Sequence, residues 1–269
     1  MRSEAWHDEA EAASPPAQVY VPPREYLRDA RDARVYQRGT IALVLALYVS
    51  LAAAFAGWLP AWLLAAIVPL VYLRLALALH ELLHVCPAED VSWFHRLTLV
   101  LETPFCLGYR EHRAIHFLHH RYASTDRDPE RFQIVGGPLG AFGRAMISPE
   151  YHFLSWIRTH GVNRRMAIEV AARAIAFMAV ASINPVVFLV YWVALRLSVG
   201  FASYVFHYVL HNDAGALGTF PLPVSPAVTR AAELLFGREP MLILTEHERH
   251  HQWPRVRARD LSQMPPPSA

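Results

Sequence analysis

The sequence predicts an all-α integral membrane protein, with four transmembrane helices forming two hairpins that hang from a cytosolic helical cap. Three observations carry that expectation. Hydrophobic residues make up 54% of the 269 positions and charged ones 18%, a balance outside the ordinary range of soluble domains. The apolar residues concentrate in two long stretches, 41–79 and 166–210, and each is too long for a single crossing. The third is the arginine distribution. The chain has no lysine, and its 25 arginines avoid the short connections inside both stretches.

Residues 1–39 form a polar cytosolic arm in which Pro15, Pro16, Pro22 and Pro23 break any long helix. A short amphipathic helix at 24–38 is the most structure expected there. A secretory signal would carry its apolar run nearer the start, so none is expected. From Ile41 to Leu59 there is no charge for 19 residues, enough for a first span. Gly57 and Pro60 mark a turn, and Ala61 to Leu79 is the second span, interrupted only by Arg74. Residues 166–210 hold two more spans, broken at Asn184-Pro185, because proline biases its predecessor away from helix. Apolar but interrupted segments at 91–107 and 139–160 read as helices lying in the interface. Residues 256–269 form a C-terminal tail.

Ten arginines lie between His84 and Met166, six in the N-terminal arm and six after Leu210. Arginine excess marks the cytoplasmic side, so both termini and the long central segment are expected in the cytosol, with a bacterial inner membrane as the setting. Arg74 is expected to snorkel to the interface; Arg196, nearer mid-span, is open to either a structural or a substrate-binding role. Glu169 and Arg173 read as an i, i+4 pair that neutralise each other. A net charge of +2 gives no reason to expect nucleic acid. Cys86 and Cys106 are too few for a disulfide framework and are expected to stay reduced.

The chain's 15 histidines fall largely into four groups. His80 and His84 are spaced i, i+4 at the end of the second span. His116, His119 and His120 follow the pattern H-x-x-H-H, with His112 one turn earlier. His207 and His211 close the fourth span. His247, His250 and His251 repeat H-x-x-H-H. Residues at i, i+3 and i+4 share a helix face, and imidazole is a good ligand for iron, copper, nickel and zinc. With four spans, all four groups lie at cytosolic helix ends or in cytosolic segments and can converge. His80, His84, His116, His119, His120, His211, His247, His250 and His251 are therefore candidate metal ligands. His207 stands undecided between ligand and structural residue. His7, His95, His152 and His160 read as structural, and His112 as structural or ligand-orienting.

HELLH at 80–84, HFLHH at 116–120 and HERHH at 247–251, in that order among hydrophobic hairpins, resemble the membrane fatty acid desaturase superfamily. That group includes acyl-lipid desaturases, alkane hydroxylases and carotenoid ketolases and hydroxylases. The resemblance covers roughly residues 40–255. It implies a histidine-bound pair of iron ions, with the HELLH, HFLHH and HERHH histidines as ligands and His211 matching an extra histidine after the fourth span. His207 sits where some members carry a water-bridging asparagine. Arg121, Asp128-Pro129-Glu130 and Trp253-Pro254 match softer elements of the pattern. Glu81 stands where desaturases most often have aspartate, and glutamate there also occurs in hydroxylase branches. The implied chemistry is dioxygen-dependent desaturation of a lipid acyl chain; hydroxylation or ketolation of a hydrocarbon or carotenoid is the neighbouring alternative. Glu81, Glu111, Asp128 and Glu246 are candidates to orient ligand imidazoles. The sequence has no glycine-rich dinucleotide fingerprint and no cysteine quartet, so a separate ferredoxin or small cytochrome is expected to supply electrons. Two other classes compete. HELLH also satisfies the H-E-x-x-H zinc-protease pattern, and paired histidines could hold haem in a membrane protein without enzymatic function.

Overall fold

The computed structural model describes residues 21–92, 94–95, 101–211 and 218–266. Among them there is no strand, only isolated bridges at Leu27–Val256 and His211–Thr219. Four helices are long and apolar enough to cross a membrane: α1 (Ala30–Phe55), α2 (Ala61–Val85), α7 (Arg164–Ile183) and α8 (Pro185–Ser203), the last continued by a π-helical turn (Tyr204–Val209). Smaller helices complete the chain: α3 (Tyr109–Tyr122), α4 (Arg131–Ile134), α5 (Pro138–Met146), α6 (Ser148–His160), α9 (Pro226–Phe236), α10 (Arg238–Thr245) and α11 (His247–Gln252). The outward faces of the long helices carry exposed Leu45, Val49, Ile175, Met178, Leu189 and Val193. A soluble protein would bury such residues, and together with the four spans they indicate an integral membrane protein.

α1 starts at Ala30, earlier than the apolar run itself. Asp29 builds a capping box there: its carboxylate accepts from the Arg31 and Asp32 amides, and Asp32 accepts from Asp29 N–H. Two orphan donors are satisfied at once, so helix propagates from the polar arm into the span. The short separate helix expected at 24–38 is thus one 3₁₀ turn, Arg24–Tyr26, followed by α1. At the other end Gly57 takes φ +74°, a left-handed conformation that glycine adopts at little cost. The break between α7 and α8 falls at Asn184-Pro185, where the Asn184 side chain accepts from Val187 N–H and caps α8.

The core of the spans is a cluster of Val44, Leu47, Leu51 and Ala54 from α1, Leu64, Val68 and Leu75 from α2, and Phe188, Tyr191, Ala194 and Leu195 from α8. α2 therefore runs between α1 and α8. Leu101 belongs to the same cluster, and this corrects the 101–107 part of the interfacial helix expected at 91–107; residues 94–95 are helical, and 93 and 96–100 lie outside the described residues. Residues 101–107 are non-helical and run among the spans, with Leu101 at φ +60°. Irregular backbone survives at that depth only if other groups satisfy it. Trp192 Nε1 donates to the Glu102 carbonyl at 2.8 Å, and Arg173 donates to the carbonyls of Pro104 and Cys106 at 3.2 and 2.7 Å. Residues 139–160 are helical, as α5 and α6.

Arg74 is exposed on the outer face of α2. Arg196 is buried, paired with Glu150 at 3.0 Å and donating to the Met146 carbonyl. The C-terminal residues are packed too. Val256, Leu261 and Met264 form a cluster with Tyr26, Leu27 and Trp253, and Arg28 N–H donates to Arg255 O while Arg257 N–H donates to Tyr26 O. Cys86 and Cys106 are buried free thiols.

Candidate metal centre

Four segments meet at one end of the helix bundle, and local contacts fix each of them. At the C-terminus of α2 the Cys86 amide closes on Leu82 O, and the carbonyls beyond it lack intrahelical partners. Tyr109 Oη on α3 donates to Leu82 O and Cys86 O at 2.9 and 2.8 Å, and Arg113, one turn on, donates to Leu83 O at 2.8 Å. This docks α3 on the end of α2 and sets His116 Nε2 2.8 Å from His84 Nε2. Met241 and Leu244 of α10 pack against Leu77 of α2 and Leu210, which delivers α11 and its histidines to the same place. The π-helical turn carries His207, and His211 follows it, bridged to Thr219. Such turns add a residue to the helical circuit and recur at functional sites.

All nine candidate ligands lie in this one cluster. His80, His84, His120 and His250 place four ring nitrogens within 4.8 Å of one another, and His119, His211 and His251 place three within the same limit. His116 adjoins the first group through His84. His247 adjoins the second, its Nε2 3.4 Å from His211 Nε2. The division follows from helix geometry. At about 100° per residue, the first and last histidines of H-x-x-H-H differ by roughly 40°, whereas the last two differ by roughly 100°. Each H-x-x-H-H motif therefore contributes to both groups. α3 gives His116 and His120 to the first group and His119 to the second; α11 gives His250 to the first and His247 and His251 to the second. The rings of His120 and His251 stack at 4.1 Å where the halves meet.

The donor set fits metal ions. Both ring nitrogens of His120 and His250 are buried without a hydrogen-bond partner, as are Nδ1 of His80, His84, His211, His247 and His251. Each such orphan costs on the order of 1–3 kcal/mol; a cation bound between the rings would engage one of the two orphaned nitrogens of His120 and of His250 and the Nε2 atoms that His84, His116, His211, His247 and His251 already turn toward one another. Burial first, and the neighbouring imidazoles second, hold His116, His120, His211, His247, His250 and His251 well below the usual histidine range. The rings are thus neutral, as ligands must be.

Carboxylates behind the rings differ in use. Asp128 accepts from His119 Nδ1, with both oxygens at 3.0 Å, and from the amides of Ser124 and Glu130 at 2.9 and 2.8 Å. This leaves His119 Nε2 facing the cluster. Glu81 lies 3.6 Å from His80 Nδ1 and is ion-paired with Arg28, both side chains being buried. Glu111 pairs with Arg165 and Glu246 with Arg249, so neither touches a ligand ring.

The undecided His207 falls outside both groups. Its Nδ1 lies 2.9 Å from the Ser203 carbonyl, which can only accept, so Nδ1 carries the proton and Nε2 faces Glu130 at 3.6 Å. His152, expected to be structural, also faces Glu130, at 2.9 Å. Burial would raise the Glu130 carboxyl, but His152 and His207 outweigh it and hold the group below the usual range. His95 sits between Thr40 Oγ1 and Ser92 Oγ at 2.6 and 2.7 Å, and His160 stacks on Trp156. His7 lies outside the described residues.

A cavity of about 230 Å³ opens from the cluster into the spans. His80, His116, His119, His211, His247 and His251 form one end, and Val44, Leu79, Val199, Ala202 and Phe206 line its apolar walls. Phe206 stacks on His80 at 5.1 Å. Sequence reasoning missed Arg28 and the polar residues Tyr72 and Glu102 deeper in this cavity, since no spacing pattern links them to the histidines. Comparison with protein-family models, with curated proteins and with solved structures finds no match, so the geometry of this centre carries its functional reading.

Proposed function

We propose that the chain is a dioxygen-dependent di-iron desaturase that introduces a double bond into a lipid acyl chain. The observation that carries this reading is the convergence of nine histidines in two adjoining groups at the mouth of an apolar-walled cavity. His80, His84, His116, His120 and His250 would hold one iron, and His119, His211, His247 and His251 the other. Bound there, the pair supplies the reduction of dioxygen needed to take hydrogen from an unactivated C–H bond. Overall, two C–H bonds on adjacent carbons break, a carbon–carbon π bond forms, and dioxygen becomes two waters. Two of the four electrons and two of the four hydrogens come from the substrate; the other two electrons come from a separate ferredoxin or small cytochrome and the other two protons from solvent.

The chain's own residues position and shield. Val44, Leu79, Val199 and Ala202 hold a methylene run beside the histidines and keep water from it. Asp128 fixes the tautomer and aim of His119, and the Arg28–Glu81 pair backs His80. The arginine bias supports a cytosolic cap, cytoplasmic termini and two membrane hairpins. Hydroxylation or ketolation of a hydrocarbon or carotenoid is the second reading, favoured by Glu81 in the aspartate position. A zinc protease is disfavoured by the engagement of Glu81 with Arg28, which turns the would-be base toward a guanidinium.

Mass spectrometry of lipids from expressing cells, with and without dioxygen, tests this. Desaturation predicts an oxygen-dependent loss of two hydrogens that disappears in His250→Ala. A gain of one oxygen atom would move the assignment to hydroxylation. Unchanged lipids in cells holding iron-loaded protein and a reductant would overturn the proposal.

A further inference from the structure

The far end of the cavity does not match a plain hydrocarbon. Tyr72 lies eight residues before His80 on α2, which places it about 12 Å further into the bundle along the helix axis. There the cavity wall includes Tyr72 and, hydrogen-bonded to it, Glu102. Glu102 sits on the non-helical segment beside Leu101, a member of the core cluster of the spans. Its carboxylate has one side-chain hydrogen-bond partner among the described residues, the Tyr72 hydroxyl at 3.5 Å. Arg196, whose charge acts on Glu102, is held through Nη2 by Glu150 and the Met146 carbonyl; its Nη1 is buried without a hydrogen-bond partner and makes no hydrogen bond to Glu102. Thr40 is engaged too, its hydroxyl 2.6 Å from His95 Nε2. An ionisable side chain at this depth is costly unless a partner compensates it, and such residues mark substrate paths. A methyl terminus against Glu102 would strip the carboxylate of water and give nothing back. While ionised, Glu102 repels a substrate carboxylate.

We propose that Glu102 and Tyr72 form a subsite for a hydrogen-bond donor, a hydroxyl or an ammonium, carried by the substrate at the end remote from the reacting bond. The substrate is then a hydrocarbon with a donor-bearing terminus, anchored deep in the bundle while its methylene run passes the histidines. This deepens the proposed desaturase or hydroxylase reading and rests on it for the reaction. The binding claim stands on the cavity alone.

Equilibrium binding of four twelve-carbon probes to the purified protein in detergent tests it: dodecanol, dodecylamine, dodecane and dodecanoate. Measurement on iron-loaded and on metal-free protein separates this claim from the catalytic one. Dodecanol or dodecylamine should bind at least about tenfold more tightly than dodecane or dodecanoate. Glu102→Leu should erase that preference while leaving dodecane binding intact, which also serves as the check that the variant folds. Glu102→Gln keeps an acceptor without charge: retained dodecanol binding identifies a hydroxyl site, and selective loss of dodecylamine an ammonium site. Tyr72→Phe should weaken the preferred probe several-fold. Equal binding of dodecane and dodecanol to the parent, or a preference that survives Glu102→Leu, would overturn the proposal even if lipid products are found. A Glu102-dependent preference without any product would leave it standing and remove the catalytic reading.

Discussion

Replacing Asp128 with asparagine isolates what one carboxylate does for the centre. Asp128 accepts three hydrogen bonds, from His119 Nδ1, Ser124 N–H and Glu130 N–H. An amide of the same shape can accept on one side only. Ser124 N–H bonds one carboxylate oxygen and Glu130 N–H the other, so the new NH₂ confronts one of these amides whichever way it points, and it also lies beside His119 Nδ1–H, which keeps at most one neutral acceptor. The lost charge-assisted bond is worth about 1.5–3 kcal/mol. Loss of such a ligand-orienting partner elsewhere costs about 10–100-fold in metal affinity, or about 1.4–2.7 kcal/mol. The two ranges agree. His119 belongs to only one group, so iron should fall from about two toward about one per chain in Asp128→Asn under competition with a graded chelator. The His80, His84, His120 and His250 group should keep its ion at chelator levels that empty the other. Iron content and chelator midpoint indistinguishable from the parent would refute the idea that Asp128 acts through His119.

Two further substitutions probe the surroundings. Arg28→Ala leaves Glu81 buried without its cation, and breaking a buried pair from one side costs about 3–5 kcal/mol; the thermal midpoint in detergent should drop sharply and largely recover in Arg28→Met, Glu81→Gln. An unchanged midpoint in Arg28→Ala would show that the pair contributes nothing. Arg173→Met strips the Pro104 and Cys106 carbonyls of a donor deep in the bundle, at about 1–3 kcal/mol per orphaned group. Faster proteolysis or hydrogen exchange confined to residues 101–107 would report it, and an unaltered exchange pattern would count against that segment's dependence on Arg173.

The four apolar helices were legible because span length and the Asn184-Pro185 break are local signals, written in composition and in proline stereochemistry. The meeting of the histidines was legible for a similar reason, since i, i+3 and i+4 spacing needs only helix geometry. What escaped was set by tertiary context. Leu101 and Glu102 looked like part of an interfacial helix because hydropathy cannot tell a lipid-facing residue from one wedged between spans. The donors Trp192 and Arg173, some 67–90 residues away in sequence, satisfy its carbonyls and make the irregular backbone tolerable. The partner of Glu81 was equally invisible, because Arg28 is 53 positions distant in an arm that read as solvated. Asp29 carried a local signal, the capping box with Asp32, that places the start of α1 at Ala30.

The metal content of the purified chain tests the central claim most directly. Elemental analysis of the parent, of His250→Ala and of His211→Ala should return about two irons in the first. Each variant should lose mainly one ion, His250→Ala from the group of His80, His84 and His120, and His211→Ala from that of His119 and His251. A single zinc per chain, retained in both variants, would contradict a shared di-iron centre.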